Sequence, residues 1–475
     1  MSVAGLSFKS MDEILSLSAI EQARLIRERK ISSVELIEAH LRRIAELQPS
    51  INAVTEVLCE TALAEAWRAD GMEAGGVLHG VPFSVKDSIE VAGTVSTAGS
   101  VVRSAASEDA TLVARLRAAG AIPIAKTNLP ELLFAFESDN YIFGRTNNPY
   151  DVSRTAGGSS GGEAALIAAC GSPMGLGSDC AGSVRLPAAF CGIAGIKPTS
   201  GRLPRTGHVP PAGGWITGLW QMGPMARHVE DVALMMKLLA GADGVDPTAV
   251  ALPFETALED ISRLKVAFYT DNGFAKPSEE VSETVRAAAR ALSAEVASVE
   301  EKYPACLADA YDLEMKLLGA DGGDSLRQYH AGLGSGRMHP LLSGWLDKLE
   351  AYRTNLQGFQ TYWDEWDRYR AEMAGFFRNY DAIVCPAYTQ TALAHGTSIE
   401  DANFRGFSHT MAYNVAGLPG AVVRCGASAT GLPIAVQIVA PPWREDVALG
   451  VALFLERAMD GWKHAAGLIN GHKLI

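Results

Sequence analysis

Residues 157–202 read GGSSGGEAALIAACGSPMGLGSDCAGSVRLPAAFCGIAGIKPTSGR, and this stretch holds most of the glycine-rich punctuation of the chain. Two adjacent serines, Ser159 and Ser160, stand between two glycine pairs, and small helix-forming residues follow directly. Glycine is costly to order, so glycines clustered around two hydroxyls indicate a backbone held close to another part of the molecule. Alanine, leucine and isoleucine are interleaved with the glycines, which is typical of tight packing and not of a flexible linker.

Short buried strands and helices alternate on either side of this stretch. Upstream, GVPFSVKDSIE (80–90) and AIPIAKTN (121–128) predict strands, and Thr111–Ala119 predicts a helix between them. Downstream, three further segments have strand character, namely DAIVCP (381–386), GAVVRC (420–425) and PIAVQIVA (433–440). This alternation predicts an α/β sheet, and the chain has no internal repeat or linker that would divide it into separate domains.

Residues 308–377 have a different character, because they are charged, aromatic and helical in pattern. Phe359, Trp363, Trp366 and Tyr369 recur there at spacings of three to four residues. Such a stripe favours a helix that packs against the core. The alternative interpretation is an aromatic wall that faces a substrate.

The five residues from Gly158 to Gly162 satisfy the GxSxG pattern of α/β-hydrolases, with Ser160 as the nucleophile on a strand-to-helix turn. A helix follows as that fold requires, but NNPYDVSRTA (147–156) contains few β-forming residues and predicts no strand before it. His395 and His409 lie downstream and could complete a triad. The pattern therefore leaves open an α/β-hydrolase-like esterase that uses Ser160 with a histidine.

Two further interpretations of the glycine loop give it no nucleophile. Glycines at the start of a helix can cradle a phosphate, but no GK[ST] follows and no GxGxxG opens a strand–helix unit. The small residues could also serve close packing alone, in a non-catalytic interaction protein. Taken by itself, the loop does not decide between these possibilities.

The whole of 157–202 resembles the signature of the amidase signature family. The family pattern runs GGSSGG, then small residues, then G-x-D-x-x-G-S-x-R-x-P and G-x-x-G-x-K-P-T. Every position after the glycine loop is filled here, by Gly177, Asp179, Gly182, Ser183, Arg185, Pro187, Gly192, Gly195, Lys197, Pro198 and Thr199. The segments 80–100, 125–132 and 431–446 are also similar to family segments, and only about 245–375 shows no likeness.

The resemblance implies the family's fold, a single α/β domain over 1–475 with a central twisted mixed β-sheet covered by helices on both faces. The signature core is expected at about 75–240, and a variable helical region that forms the substrate pocket at about 308–377. The C-terminal strands, at 381–446, would return to the core.

The resemblance also implies a Ser–cis-Ser–Lys triad, with Ser183 as nucleophile, Ser159 as bridging serine and Lys86 as terminal base. The family has a cis peptide bond at the bridging serine, here Gly158–Ser159. Lysine acts as a base only when neutral, so its pKa of about 10.4 must fall by roughly three units, worth about 4 kcal/mol. A serine hydroxyl both donates and accepts, so Ser159 can carry a proton between the other two residues.

The rest of the predicted site supports the nucleophile. The oxyanion hole would consist of four backbone N–H groups, those of Cys180, Ala181, Gly182 and Ser183. Ser160 would support the site through its hydroxyl and backbone. Asp179 and Arg185 would hold the nucleophile loop as a carboxylate–guanidinium pair. The scheme assigns no role to any histidine and requires no metal or cofactor.

The family reaction is hydrolysis of a carboxamide C–N bond through an acyl-enzyme. Four tryptophans (Trp215, Trp220, Trp363 and Trp366) predict an apolar pocket that accepts aromatic groups, hence a broad amidase for aryl and alkyl amides, with ester and carbamate hydrolysis as further activities. The lysine-, glycine- and tyrosine-rich segment of the glutaminase subunit of tRNA-dependent amidotransferases has no equivalent in 308–377. A catalytically inactive interaction protein with this fold remains the alternative.

The composition limits the partners and the compartment. A net charge of −13 at pH 7 argues against nucleic-acid binding, which needs basic patches. The sequence contains no apolar run of about 18 residues, which a membrane-spanning helix would need, so no membrane anchor is expected. The N-terminus lacks the apolar segment of a signal peptide. Seven scattered cysteines indicate free thiols in the cytoplasm. We therefore expect a monomer or homodimer that acts on a small-molecule amide.

Overall fold

The backbone is organised around one large mixed sheet. We describe it from a computed structural model, which covers residues 10–100, 105–211, 214–257, 260–334, 336–459 and 461–465. The strands in this part of the chain are β1 Val54–Val57, β2 Pro82–Lys86, β3 Ile122–Thr127, β4 Asn147–Asn148, β5 Asp151–Thr155, β6 Met174–Asp179, β7 Ala194–Lys197, β8 Gln221–Ala226, β9 Lys265–Phe268, β10 Ser298–Glu301, β11 Ala382–Pro386, β12 Gly420–Ala427 and β13 Pro433–Val439.

Eleven of these strands form the large sheet, in the order β1-β3-β2-β6-β8-β7-β12-β13-β11-β9-β10. The pairs within β3-β2-β6 and within β11-β9-β10 are parallel, and the remaining neighbours are antiparallel. Because β2 and β6 are parallel neighbours, their carboxyl ends open at the same edge of the sheet, where α/β proteins place their sites.

Helices cover both faces of this sheet. They are α1 Met11–Leu15, α2 Ala19–Arg27, α3 Ser33–Ile51, α4 Cys59–Asp70, α5 Thr111–Ala118, α6 Gly161–Ala168, α7 Arg185–Cys191, α8 Val229–Leu239, α9 Glu279–Leu292, α10 Ala310–Leu318, α11 Asp324–Gly332, α12 Pro340–Leu349, α13 Leu356–Phe376, α14 Asp401–Gly406, α15 Ser408–Val415 and α16 Glu445–Ala458. Short 3-10 helices lie at Glu131–Leu133, Gly214–Gly218, Ala305–Asp309 and Glu350–Tyr352.

Successive residues of β13 show how the two faces are filled. Val436 and Ile438 belong to the apolar cluster that contains residues of α2, α5, α8 and α16. Val439 points to the other face and belongs to the cluster that contains residues of α10, α12, α13 and α15. This period of two is that of a strand buried on both sides. The predicted fold, a single α/β domain with a mixed sheet between helical layers, is therefore confirmed.

The aromatic stripe of α13 packs partly into the core. The Trp366 indole N–H donates to the carbonyl of Val415 at 2.6 Å, and the Tyr369 hydroxyl donates to the carbonyl of Ala412 at 3.0 Å. Trp363 is instead 36% exposed. The buried half of the stripe thus anchors α13 on α15, as the core-packing interpretation expects.

The segment before the glycine loop contains a strand that sequence reasoning did not predict. Residues Asp151–Thr155 form β5, which pairs with β4 in a two-stranded sheet separate from the central one. A nucleophile elbow requires a strand of the central sheet, and β5 is not one.

In the described ranges, no helix has the length and apolarity needed to span a bilayer.

Candidate active site

Lys86 is the last residue of β2, and its side chain is completely buried. Its Nζ lies 2.7 Å from Ser159 Oγ, 3.1 Å from Ser178 Oγ and 3.4 Å from the Ser178 carbonyl oxygen. Burial lowers the pKa of Lys86 to about 7, although the carboxylates of Asp179 and Glu163 act in the opposite direction. A substantial fraction of Lys86 is therefore neutral near pH 7, as a general base must be.

Asp87, the acidic neighbour of Lys86 in sequence, does not oppose this shift. Its carboxylate accepts from the Thr97 hydroxyl at 2.5 Å and lies 3.4 Å from the ammonium of Lys126. Asp87 is thus engaged away from Lys86, and it is absent from the charges that act on the pKa of Lys86. β2 ends at Lys86 and the chain turns at Asp87, where the N–H of Ile89 donates to the carbonyl of Lys86.

Glu163 acts on the pKa of Lys86 together with Asp179, and sequence reasoning did not assign it to the site. It is fully buried in the first turn of α6, where its carboxylate accepts from the hydroxyls of Ser84 and Thr127. Burial raises the pKa of Glu163 to about 7, against the effect of these hydroxyls and of Lys86. The available signal was a lone carboxylate in the small-residue run GGEAALIAA, where solvent exposure is not expected.

Ser159 lies on the glycine loop, and the peptide bond Gly158–Ser159 is cis. The glycines of this loop are required by close approach to neighbouring backbone. A Cβ atom at Gly158 would lie 2.5 Å from the nitrogen of Glu137, and one at Gly162 would lie 2.4 Å from the nitrogen of Asn128. No side chain larger than hydrogen fits at either position, so the loop that carries Ser159 is held against two other segments.

Ser183 lies just before α7, and it lines the same cavity as Ser159. The loop that carries it is held by Asp179, whose carboxylate accepts from the N–H groups of Gly182 at 2.8 Å and Val184 at 3.1 Å. The Arg185 guanidinium binds both oxygens of Asp179 at 2.9 Å, and both side chains are fully buried. Asp179 and Arg185 therefore form a carboxylate–guanidinium pair that positions the loop.

The same contacts favour the ionised form of the Asp179 carboxyl. Burial alone would raise the pKa of Asp179, but the Arg185 guanidinium and the Asn414 amide hold it well below its usual range. Arg185 donates further to the side chain of Gln437 at 2.6 Å and to the carbonyl of Thr410 at 3.0 Å. The ion pair is thus hydrogen-bonded on all sides, which a buried pair needs.

Of the four N–H groups predicted to form the oxyanion hole, one already has an acceptor within the protein. The N–H of Gly182 donates to the Asp179 carboxylate at 2.8 Å. The N–H groups of Cys180, Ala181 and Ser183 have no acceptor among the described residues. Three of the four predicted donors therefore remain free.

Ser160 does not have the surroundings of a nucleophile. Its hydroxyl donates to the carbonyl of Ser178 and accepts from the N–H of the same residue, both at 3.4 Å. His395 and His409 instead bond to main-chain carbonyls elsewhere, those of Val152 at 3.2 Å and Ala275 at 2.8 Å. Within the described residues no histidine contacts Ser160, so the geometry gives no support to a Ser160–His arrangement.

A cavity of about 390 Å³ opens over Ser159 and Ser183. Its wall is mostly apolar and includes Leu132, Phe134, Ile216, Trp220, Leu318 and Trp345. Of the four tryptophans predicted to form the pocket, Trp220 lines it, whereas Trp363 and Trp366 lie on α13 and do not. The side chain of Trp215 is outside the part that the structure describes.

Trp345 and His208 line the cavity, and sequence reasoning assigned neither of them to the site. For Trp345 the signal was the amphipathic pattern of α12, whose buried residues include Leu341, Leu342 and Leu349. For His208 the sequence carries no signal, because its contacts depend on the folded loop. No group of three or more His, Cys, Asp or Glu side chains in the described ranges is arranged to hold a metal ion.

Comparison with known proteins identifies the family of the chain. The family model named Amidase matches residues 35–449. The chain is 31% identical to human fatty-acid amide hydrolase 2 (95% of this chain, 90% of that protein) and 34% identical to a subunit of glutamyl-tRNA(Gln) amidotransferase from Roseiflexus sp. (strain RS-1) (94% and 96%). A solved structure of 6-aminohexanoate cyclic dimer hydrolase superposes with a TM-score of 0.85 at 28% identity, over 96% of this chain and 99% of that one. The chain therefore belongs to the amidase family of amidase signature hydrolases.

Proposed function

We propose that the protein hydrolyses the C–N bond of carboxamides through an acyl-enzyme on Ser183. The observation that carries the proposal is the buried, largely desolvated Lys86 amine 2.7 Å from Ser159 Oγ, beside a cavity that Ser183 also lines. A lysine with a pKa of about 7 is a base matched to neutral pH. Membership of the amidase family supports the same chemistry.

The proposed reaction uses these groups in the following order. The Ser183 hydroxyl transfers its proton through Ser159 to neutral Lys86, while Ser183 Oγ attacks the amide carbonyl carbon. The carbonyl oxygen becomes an oxyanion, stabilised by the free N–H groups of Cys180, Ala181 and Ser183. Lys86 returns the proton through Ser159 to the amide nitrogen as the C–N bond breaks, and water later hydrolyses the acyl ester on Ser183. The scheme uses no metal and no cofactor.

Labelling with a fluorophosphonate probe tests the nucleophile. We expect the wild-type protein to be labelled, Ser183→Ala to lose the label, and Ser160→Ala to keep it as the matched control. Labelling that survives in Ser183→Ala and disappears in Ser160→Ala would assign the attack to Ser160. A folded wild-type protein that takes up no label would indicate an inactive amidase-fold protein.

The base is tested by comparing amide and ester substrates with the same acyl group. Lys86→Ala should reduce amide hydrolysis more than ester hydrolysis, by about tenfold or more, because an amine leaving group needs a proton and an alkoxide or phenolate needs it less. Equal losses on both substrates would contradict the assignment of Lys86 as the proton donor to the leaving group.

We further propose that the substrates are aryl and alkyl amides, with esters and carbamates also accepted. This proposal rests on the apolar lining of the cavity, which buries hydrocarbon more favourably than polar groups. Trp345→Ala should lower kcat/KM for an anilide by about tenfold. Trp363→Ala is the matched control, because that residue lies outside the cavity wall. Turnover of small polar amides such as malonamide, with none of anilides or p-nitrophenyl esters, would contradict the proposal.

The cellular setting is a further part of the proposal. All seven cysteines are free, and most of them are buried. Free thiols persist in reducing compartments, which supports a cytoplasmic enzyme. We propose that it acts there as a monomer or homodimer on small-molecule amides and does not bind nucleic acid.

A further inference from the structure

His208 lies in the cavity wall, buried beside Trp220, with a ring-centroid distance of 4.6 Å. Its Nδ1 is 3.1 Å from the carbonyl oxygen of Pro210. A carbonyl oxygen only accepts hydrogen bonds, so Nδ1 must carry the ring proton. In the neutral ring, Nε2 is then an acceptor.

The ring stays neutral in the folded protein. Burial, the charge of Lys86 when it is protonated and the charge of Arg205 together lower the pKa of His208 to about 3, while the carbonyl of Pro210 acts in the opposite direction. Both of these basic side chains disfavour imidazolium. The tautomer assigned above is therefore the form present at neutral pH.

Two hydroxyls approach Nε2, Ser178 Oγ at 3.1 Å and Ser88 Oγ at 3.2 Å. Since Nε2 has no hydrogen and one lone pair, each hydroxyl can bond to it only by donating, and the two hydroxyls share that lone pair. A Ser178 hydroxyl that donates there directs its proton to His208. Ser178 Oγ is left with its lone pairs facing Lys86 Nζ, 3.1 Å away.

This direction matters for a neutral amine. Neutral Lys86 has two N–H bonds and one lone pair. If Ser178 Oγ and the Ser178 carbonyl accept the two N–H groups, the lone pair remains for the hydroxyl of Ser159, 2.7 Å away. A Ser178 hydroxyl turned the other way would donate to the Lys86 lone pair and compete with Ser159 for it.

We propose that His208 is a positioning residue of the amidase reaction, which acts through Ser178 Oγ to direct the lone pair of Lys86 toward Ser159. The inference rests on the proposed function of Lys86 as the base. It assigns to His208 no contact with the reacting atoms.

Two amide substitutions of His208 form a matched pair. His208→Asn keeps a donor for the Pro210 carbonyl but places no acceptor at the position of Nε2. His208→Gln can place its side-chain oxygen near that position and accept from Ser178. We expect kcat for an anilide to fall about tenfold in the Asn variant and about threefold or less in the Gln variant, with KM little changed in both.

A Ser178→Ala background separates this role from simple packing. Without the Ser178 hydroxyl, the Asn and Gln variants should have equal kcat, because the group through which His208 acts is gone. Equal kcat of the two variants when Ser178 is present would overturn the inference. So would a difference that persists undiminished in Ser178→Ala, or a rise in KM with kcat unchanged.

The outcome is distinguishable from a failure of the proposed function. Fluorophosphonate labelling and amide turnover of the wild-type protein report on Ser183 and do not depend on the comparison of His208 variants. An unlabelled, inactive wild-type protein would overturn the proposed function itself. An active wild-type protein whose Asn and Gln variants behave alike would overturn the role of His208 alone.

Discussion

Replacing Lys86 with methionine should abolish activity and yet stabilise the protein at neutral pH. The pKa of Lys86 is 10.5 in its ordinary state and about 7 in the folded protein. Between about pH 7 and pH 10.5 the unfolded chain binds more protons than the folded protein, so the free energy of unfolding of the wild-type protein rises with pH in this range. Integrating over the window, the cost of holding Lys86 neutral is about 4 kcal/mol at pH 7 and about 1 kcal/mol at pH 10.

Methionine fills a similar volume and carries no charge, so the substitution removes this cost. Loss of the bonds to Ser159 and Ser178 should destabilise the variant by about 1–3 kcal/mol, at either pH. Because this loss is the same at both pH values, it cancels when the effect of the substitution at pH 7 is compared with its effect at pH 10. We therefore expect the free energy of unfolding of Lys86→Met, relative to its parent, to fall by about 3 kcal/mol between pH 7 and pH 10.

Urea unfolding at several pH values measures this difference. Parent and variant should both carry Glu163→Gln, because the pKa of the Glu163 carboxyl is also about 7 and would respond to the loss of Lys86. Lys237→Met is the control, since Lys237 is exposed on α8 and its removal should give a difference that changes little with pH. A difference for Lys86→Met that stays constant within about 0.5 kcal/mol would mean that Lys86 keeps its proton in the folded protein. It could not then be the base.

Three further outcomes follow from the site. The kcat/KM of the wild-type protein for a neutral amide should rise with pH, with an apparent pKa of about 7, because Lys86 must be neutral to act as the base. Initial rates that stay constant from pH 5 to pH 9 would contradict this. Arg185→Met should lower the free energy of urea unfolding by about 3–5 kcal/mol, because the carboxylate of Asp179 is left buried without its partner; a loss under about 1 kcal/mol would refute that role. The Gly182→Ala variant should lose fluorophosphonate labelling, because the added Cβ would lie 2.4 Å from Thr410 Oγ1 and the φ of residue 182 is +126°. Full labelling would show that the loop adapts.

The residues proposed for catalysis could be picked out from the sequence because their motifs are local. Lys86 ends a short apolar strand, and Ser159 and Ser183 stand at fixed positions in one continuous stretch, so a pattern in the chain corresponds to a pattern in space. The engagement of Gly182 was not readable. It depends on the rotamer of Asp179, which Arg185 sets, and the spacing of the residues is silent on that.

The residues of the cavity wall were harder to predict for a related reason. Trp345 and Trp363 both lie on amphipathic helices of 308–377, and periodicity shows that such a helix has an apolar face without showing what that face meets. Packing of α12 and α13 on the rest of the domain turns one tryptophan to the cavity and the other to solvent. His208 escaped notice because its function depends on the direction of a hydrogen bond.

The residues in and behind the cavity come from two layers of the molecule, and this affects how its substrate range could change. Lys86 and Ser178 lie on neighbouring parallel strands of the central sheet, whereas Leu318 and Trp345 come from helices α10 and α12. Variation in the helices can reshape the space offered to an acyl or amine group while the strands hold Lys86 and Ser178 in place. New substrate ranges are therefore accessible to this chain by changes in one layer of the molecule, and a library confined to the helical wall should alter selectivity among amides while the reactivity of Ser183 toward a small phosphonate persists.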